Sequence, residues 1–239
     1  LSGVTLLMKT IVLGPPGTGK TTTLLSLVDD FMKAGIEPKR IGYFSFTRKA
    51  AHEAASRAAE KFNLDEKEDL IYFRTLHSLA FRLLGVKKER VMKQADYREF
   101  GLKVGIPIKM AMRSENDGIF NSDNEYLRLI NKARVTERDL MDVYDDNLHT
   151  LDIERDTLYL LDRELTKYKH EKGMIDYDDM LADFIKQDVS PSFDVLFIDE
   201  AQDLSPLQWR MVRALWSKAN KTYIAGDDDQ AIFKWAGAD

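Results

Sequence analysis

The stretch GPPGTGKTTT occupies residues 14–23, between a short apolar run and a segment whose leucines recur at helical spacing. It follows the pattern Gly14-x4-Gly19-Lys20-Thr21, which is typical of a phosphate-binding loop between a strand and a helix. Glycines let the backbone curl so that its N–H groups converge on phosphate oxygens, and the helix N-terminus adds a favourable dipole. A plain Gly/Pro turn has no need of Lys and Thr at these positions. The stretch therefore predicts a P-loop fold that binds a nucleotide.

The side chains of this loop predict how the nucleotide is held. Lys20 would bring a positive charge to the β and γ phosphates, and Thr21 would supply a hydroxyl ligand to Mg²⁺. ATP and Mg²⁺ are thus the expected cofactors. The predicted ATP-binding residues are Gly14, Pro15, Pro16, Gly17, Thr18, Gly19, Lys20, Thr21 and Thr22.

A second stretch, DVLFIDEAQD at residues 194–203, predicts the other half of the site. Its apolar run is typical of a buried strand, and the carboxyl end of that strand presents Asp199 and Glu200, where open parallel sheets bind their ligands. We expect Asp199 to hold the Mg²⁺ shell together with Thr21, and Glu200 to polarise the attacking water. Asp-Glu after a strand is often only a charged loop, but combined with the phosphate loop it indicates an ATPase.

Apolar periodicity predicts alternating strands and helices at both ends of the chain. The predicted strands are residues 9–13, 41–46, 70–73, 194–199 and 221–227, and the predicted helices include 20–34, 50–62, 76–84 and one that begins at the Ser205-Pro206 pair. Repeated strand-helix-strand units require crossover connections and hence a parallel sheet. Between these ends, residues 86–188 show little strand pattern and contain helical segments such as 126–134 and 158–170.

This order of elements predicts an α/β fold in which a parallel sheet, flanked by helices, is interrupted by a mostly helical insertion. Residues 1–85 and 189–239 would form the two parts of one ATP-binding domain, and residues 86–188 would form the inserted subdomain. Residues 1–7 lack the basic start and the cleavage site of a secretory signal, and we interpret them as a leader or the end of an upstream segment.

Composition and charge exclude several classes of protein. Hydrophobic residues make up 44% and charged residues 31%, and no apolar run reaches the roughly 18 residues of a membrane span, so we expect no membrane partner. The absence of cysteine excludes disulfides in these 239 residues and fits a cytoplasmic protein. A net charge of −5 excludes a generally basic nucleic-acid binder. Because Lys and Arg are dense in residues 39–98, a nucleic-acid path would be a local groove, although such residues are also typical of a solvated face.

Several segments together resemble the UvrD/Rep/PcrA branch of the superfamily 1 DNA helicases. In chain order they are the phosphate loop, SFTRKAA (45–51), TLHSLAFRLL (75–84), IDYDDML (175–181), DEAQDLSPLQW (199–209) and GDDDQAIFKWAGAD (226–239). The resemblance spans nearly the whole chain from residue 14 onwards. It implies the first RecA-like domain, with its inserted helical subdomain, of an ATP-dependent helicase that moves 3′ to 5′ along single-stranded DNA.

The resemblance also implies roles for single residues. Gln230 would contact the γ phosphate or the attacking water, which completes a predicted catalytic set of Lys20, Asp199, Glu200 and Gln230. Three aromatic residues would stack on bases, and four polar residues would contact phosphates or sugars. These predicted DNA-binding residues are Phe46, Phe233, Trp235, Thr47, Arg48, His77 and Ser78. Taken singly, an aromatic residue at such a position also fits a core, and His77 also fits an ordinary half-buried histidine.

Some positions depart from the family pattern. Arg48 stands where the family usually has Asn, Ala236 stands where it commonly has Arg, and Thr22 stands where many members carry an Arg near the adenine. The upstream glutamine motif that reads the adenine edge is not visible before Met8, so the selectivity for adenine stays open.

Two other interpretations of the sequence are alternatives to a helicase. An ATPase of the AAA+ class shares the phosphate loop, but GDDDQ and TLHS argue against it. A non-catalytic, nucleotide-gated DNA-binding module stays open. We expect the family's second RecA-like domain, which supplies the arginine fingers, beyond Asp239. This chain alone would therefore lack helicase activity. We also expect it to be a monomer.

Overall fold

The computed structural model describes residues 8–15, 17–108, 122, 124–148 and 153–227. Its five strands are β1 (Met8–Leu13), β2 (Ile41–Ser45), β3 (Phe73–Arg74), β4 (Phe193–Asp199) and β5 (Ala219–Gly226). They form one sheet with the order β1-β5-β4-β2-β3, and every pair in it is parallel. The predicted α/β class and the parallel sheet are confirmed.

The helices are α1 (Lys20–Lys33), α2 (Arg48–Phe62), α3 (Leu76–Leu83), α4 (Gln94–Val104), α5 (Glu125–Thr136), α6 (Leu140–Asn147), α7 (Arg155–Lys172), α8 (Tyr177–Lys186) and α9 (Pro206–Trp216). α9 begins as the sequence predicts. Ser205 Oγ accepts a hydrogen bond from the backbone N–H of Gln208, and the Gln208 side chain accepts one from the N–H of Ser205. This reciprocal cap satisfies two N–H groups that a helix start otherwise leaves unpaired.

Both faces of the sheet are covered, which explains the buried apolar runs at residues 41–44 of β2 and 195–198 of β4. On one face α1 and α2 pack against Tyr43, Val195 and Phe197. On the other face α3, α8 and α9 pack against Phe44 and Leu196. Polar residues lie at the carboxyl ends of the strands.

Helices α4 to α8 lie between β3 and β4 in the chain, and four of them share a core of their own. That core contains Tyr97, Phe100, Leu127, Leu129, Leu161, Leu165 and Tyr168. Helix α8 differs, because Met180, Leu181 and Phe184 belong to the core beneath the sheet. The proposed boundaries at residues 85/86 and 188/189 stay predictions.

A partly buried group of charges joins α5 and α7 to the start of α8. Arg134 donates two hydrogen bonds of 2.8 Å to the carboxylate of Asp176, and the Lys169 ammonium lies 2.7 Å from both Asp176 and Asp179. Asp176 also caps α8 by accepting from the N–H of Asp179. Asp178 is 6% exposed beside this group, and burial raises its pKa to about 7.

The predicted strand at residues 70–73 is wrong in its bounds. Residues 66–69 and 71–72 form turns, and Asp65 Oδ1 accepts hydrogen bonds from the N–H groups of Lys67 and Glu68. Leu70 and Phe73 are both buried, which explains the strand-like apolar pattern, but only Phe73 pairs with β2. Among the described residues, no helix has the length and apolar character that a membrane crossing requires.

Candidate nucleotide-binding site

The phosphate loop connects β1 to α1, and its glycines have a visible steric reason. Gly17 and Gly19 adopt φ angles of 79° and 82°, in the left-handed region that side chains with a Cβ disfavour. At Gly14 a Cβ would lie 2.6 Å from Thr18 Oγ1, which itself donates to the carbonyl of Pro15 over 2.8 Å. Gly17 and Gly19, with the first residues of α1, line an open cleft, and a helix N-terminus at such a place favours an anion.

Lys20 lies at the centre of this loop. Its ammonium is buried and donates to the carbonyls of Gly14 and Pro15 over 2.7 and 3.0 Å. It also forms an ion pair with Asp227, at the carboxyl end of β5. The positive charge therefore sits between the loop and the sheet, where β and γ phosphates would meet it.

The carboxylate of Asp199 is completely buried at the end of β4 and accepts three hydrogen bonds from other described residues. Oδ2 accepts from Thr21 Oγ1 over 2.9 Å and from the Tyr43 hydroxyl over 2.8 Å, and Oδ1 accepts from the N–H of Glu200 over 3.0 Å. Burial and the charge of Asp199 raise the pKa of Tyr43 well above its ordinary value, so Tyr43 stays a donor. The two predicted magnesium residues, Thr21 and Asp199, are in direct contact.

Glu200 adopts a left-handed backbone conformation with φ 54° and ψ 44°, which is costly for a residue with a side chain. Its Oε2 accepts a hydrogen bond of 2.7 Å from the amide of Gln202, whose oxygen accepts from the N–H of Asp227 over 3.1 Å. Gln202 thus links the ends of β4 and β5. The resulting cleft of about 330 Å³ is lined by Gly17, Gly19, Lys20, Thr21, Glu200 and Asp227.

The oxygen donors of this cleft suit a hard cation. Mg²⁺ is commonly bound by one or two protein oxygens and completed by phosphate oxygens and water. Thr21 Oγ1 and the Asp199 carboxylate are such a pair beside a phosphate-binding loop. No group of three or more His, Asp or Glu side chains in the described ranges is placed to hold a metal alone. The arrangement therefore fits a cation that arrives with a nucleotide.

Comparison with known proteins decides the family. The model of the UvrD/REP helicase N-terminal domain matches residues 4–239. This chain belongs to the UvrD/REP helicase family. It is similar to a probable DNA helicase II homolog of Mycoplasma genitalium, with 28% identity over 95% of this chain and 34% of that protein.

Two further relatives of this UvrD/REP domain carry the name ATP-dependent DNA helicase. Rep of Buchnera aphidicola subsp. Acyrthosiphon pisum is 25% identical over 95% of this chain and 36% of its own length. PcrA of Staphylococcus epidermidis is 23% identical over 96% of this chain and 32% of its own length. The chain spans about a third of the length of the curated relatives that it matches.

Most of the DNA-binding residues predicted for this UvrD/REP domain lie near the carboxyl ends of β2 and β3. Phe46 directly follows β2 and is half-buried against the core beneath the sheet. Thr47 caps α2 by accepting from the N–H of Ala50 over 3.2 Å, and Arg48 is exposed in the first turn of that helix. Ser78 lies in the first turn of α3. DNA contacts by these residues stay predictions.

Among the predicted DNA-binding residues that the structure describes, His77 has the least access to solvent. It is 5% exposed, and its ring meets that of Tyr177 edge-on with centroids 5.8 Å apart. Burial, with a smaller effect from Arg48, lowers the pKa of His77 to about 4, so the imidazole is neutral at neutral pH. Nε2 has no hydrogen-bond partner within the part of the chain that the structure describes.

The site of this UvrD/REP domain also contains residues that sequence analysis missed. Tyr43 lies within a strand that looked purely apolar, and no local signal marks its bond to Asp199. Asp227 and Gln202 each lie at the carboxyl end of a parallel strand, which is a usable signal for ligand-facing residues. Four predicted site residues, Pro16, Gln230, Phe233 and Trp235, lie outside the described residues, and Thr22 is exposed on α1 beside the loop.

Proposed function

We propose that this chain is the ATP-binding, DNA-contacting part of an ATP-dependent DNA helicase that moves 3′ to 5′ along single-stranded DNA. The observation that carries the proposal is the contact between Thr21 and Asp199, which joins the phosphate loop to the carboxyl end of β4 over 2.9 Å. This contact makes one site of two segments that are far apart in sequence. Family membership and the names of the relatives support the helicase part.

Nucleotide binding follows from charge and geometry. Lys20 and the N–H groups of the loop would bind the phosphates of ATP, and Thr21 with Asp199 would hold Mg²⁺. Bound Mg²⁺ would neutralise charge on the phosphate oxygens. Lys20 must then exchange its bonds to loop carbonyls and to Asp227 for bonds to phosphate. At the two carbonyls the exchange replaces neutral acceptors by anionic ones, which form stronger hydrogen bonds, and the ion pair with Asp227 is exchanged for one with phosphate.

Hydrolysis would use Glu200 as the group that polarises water. Its carboxylate lines the cleft and is oriented by the amide of Gln202 at 2.7 Å. A positioned general base contributes roughly 10²- to 10⁴-fold in rate. A non-catalytic, nucleotide-gated module would bind ATP without hydrolysing it. Removing the Glu200 carboxylate would then have no effect on hydrolysis.

DNA binding would take place near the carboxyl ends of β2 and β3, where the first turns of α2 and α3 lie. Helix N-termini favour phosphate, and Arg48 adds an exposed positive charge. Arg74 lies close by on β3, and its Nε is buried without a hydrogen-bond partner among the described residues. Phe46 would stack on a base. The proposal includes a cytoplasmic location, because a sequence without cysteine suits that reducing compartment.

A nucleotide titration tests whether the phosphate loop around Lys20 binds ATP. We expect a fluorescent ATP analogue to bind the chain in the presence of Mg²⁺ and Lys20→Ala to abolish binding, because the buried ammonium is lost. Lys61→Ala is the matched control, since Lys61 pairs with Asp29 between α1 and α2, outside the cleft. Equal affinity in Lys20→Ala and Lys61→Ala would refute the assignment of the site.

Single-stranded DNA binding is tested separately with a labelled oligonucleotide at several salt concentrations. Phosphate contacts predict that log K falls with log salt, with a slope of about −0.7 per phosphate contact on a single strand. Preference for duplex over single-stranded DNA would contradict the proposed substrate.

A further inference from the structure

Tyr43 connects β2 to the carboxylate at the end of β4. Its side chain is completely buried, and its ring is stacked on that of Phe73 with centroids 5.6 Å apart and lies 6.1 Å from that of Phe197. Phe73 and Phe197 are also its register partners on the neighbouring strands. The three rings form a row across the sheet, which holds the Tyr43 hydroxyl in one place.

The hydrogen bonds of Asp199 show what this hydroxyl does. A carboxylate oxygen has two lone pairs, and Tyr43 and Thr21 donate to the same oxygen, Oδ2. Donors from two different elements oppose rotation of the carboxylate about its Cβ–Cγ bond. Thr21 donates its hydroxyl hydrogen to Asp199 Oδ2, so the lone pairs of Thr21 Oγ1 remain available for a cation.

We propose that Tyr43 is a positioning residue of the magnesium site, whose hydroxyl holds the Asp199 carboxylate in the orientation that lets Asp199 and Thr21 serve one Mg²⁺ together. The inference rests on the proposed function, because it refines the metal part of the same cleft. Residues that hydrogen-bond to metal ligands fix their direction, and losing one commonly weakens metal affinity about 10- to 100-fold. Nothing in the local sequence around Tyr43 indicates this role.

The variant Tyr43→Phe removes the hydroxyl and keeps the ring in its stack, so we expect it to fold. Tyr223→Phe is the matched control. It makes the same chemical change on β5, where the ring of Tyr223 is stacked on Phe197 at 5.3 Å. Among the described residues, Asp199 accepts hydrogen bonds from Thr21, Tyr43 and Glu200, and the control leaves these bonds in place.

The assay titrates Mg²⁺ against the 239-residue chain with a fluorescent ADP analogue and records nucleotide binding. For Tyr43→Phe we expect the Mg²⁺ midpoint to rise about tenfold. Nucleotide affinity without Mg²⁺ should stay unchanged, because Lys20 and the loop make the phosphate contacts. Tyr223→Phe should match the unsubstituted chain in both measurements, and circular dichroism should show that all three proteins are folded.

Three results would overturn the inference. They are an unchanged or lower Mg²⁺ midpoint in Tyr43→Phe, an equal shift in Tyr223→Phe, and an equal loss of affinity with and without Mg²⁺. Failure of the unsubstituted chain to bind nucleotide in a Mg²⁺-dependent way would overturn the proposed function, and the inference with it. A normal midpoint in Tyr43→Phe would overturn the inference alone.

Discussion

Replacing Asp178 by Asn is expected to change how the stability of this chain depends on pH. Asp178 is 6% exposed, and the side chains of Asp176, Asp179, Arg134 and Lys169 influence its charge. Burial raises its pKa to about 7 from the ordinary value of 3.8, and the two neighbouring carboxylates act in the same direction. Asn has the shape of a protonated Asp, so the variant keeps the packing and removes the titration.

The number of protons bound in the folded and unfolded chains sets how the free energy of unfolding changes with pH. Between pH 3.8 and about 7 the folded chain holds a proton on Asp178 that the unfolded chain has released. The free energy of unfolding therefore falls as the pH rises through this window. The slope for one proton is about 1.4 kcal/mol per pH unit and halves at the folded pKa, so this group lowers stability by about 2 kcal/mol between pH 5 and 7.

His77 has the opposite effect in the same window. Burial lowers its pKa from 6.5 to about 4, so between these values the unfolded chain holds a proton that the folded chain lacks. Stability rises with pH there, also by about 2 kcal/mol between pH 5 and 7. The contributions of His77 and Asp178 nearly cancel in the unsubstituted chain, and only a comparison of variants separates them.

Urea unfolding followed by circular dichroism at pH 5, 6 and 7 measures the effect. The stability of Asp178→Asn relative to the unsubstituted chain should rise by about 2 kcal/mol across this range, and that of His77→Gln should fall by a similar amount. The reasoning is refuted if the relative stability of Asp178→Asn is constant with pH. It is equally refuted if both variants change in the same direction.

Three further outcomes are expected. Glu200→Gln in a hydrolytically active protein should bind ATP normally and lower turnover at least about 100-fold in single-turnover assays; near-normal turnover would exclude Glu200 as the base. Phe46→Ala should weaken binding of a single-stranded oligonucleotide by roughly 1–3 kcal/mol, measured by fluorescence anisotropy, and unchanged affinity would remove Phe46 from the DNA path. Thr47→Ala should lower the free energy of unfolding by about 1 kcal/mol, because the cap on the N–H of Ala50 is lost; a stability equal to that of the unsubstituted chain would show that this bond contributes nothing.

The features that sequence analysis predicted correctly depend on short-range geometry. The strand, loop and helix around Lys20 follow from glycines that must adopt positive φ within a few residues of one another. The start of α9 follows from a cap between Ser205 and Gln208, only three residues apart. The parallel sheet follows from the order of strands and helices, because connections between parallel strands must cross over.

Contacts between distant segments required the folded chain. Tyr43 and Asp199 are 156 residues apart, and their bond depends on the register of β2 against β4. The burial of His77 depends on α8 packing in the same core as α3, which brings Tyr177 beside it. In an isolated segment Tyr43 is one more apolar residue of a strand, and His77 is an exposed base of ordinary pKa. Only packing against other elements supplies the partners and the loss of solvent that change their chemistry.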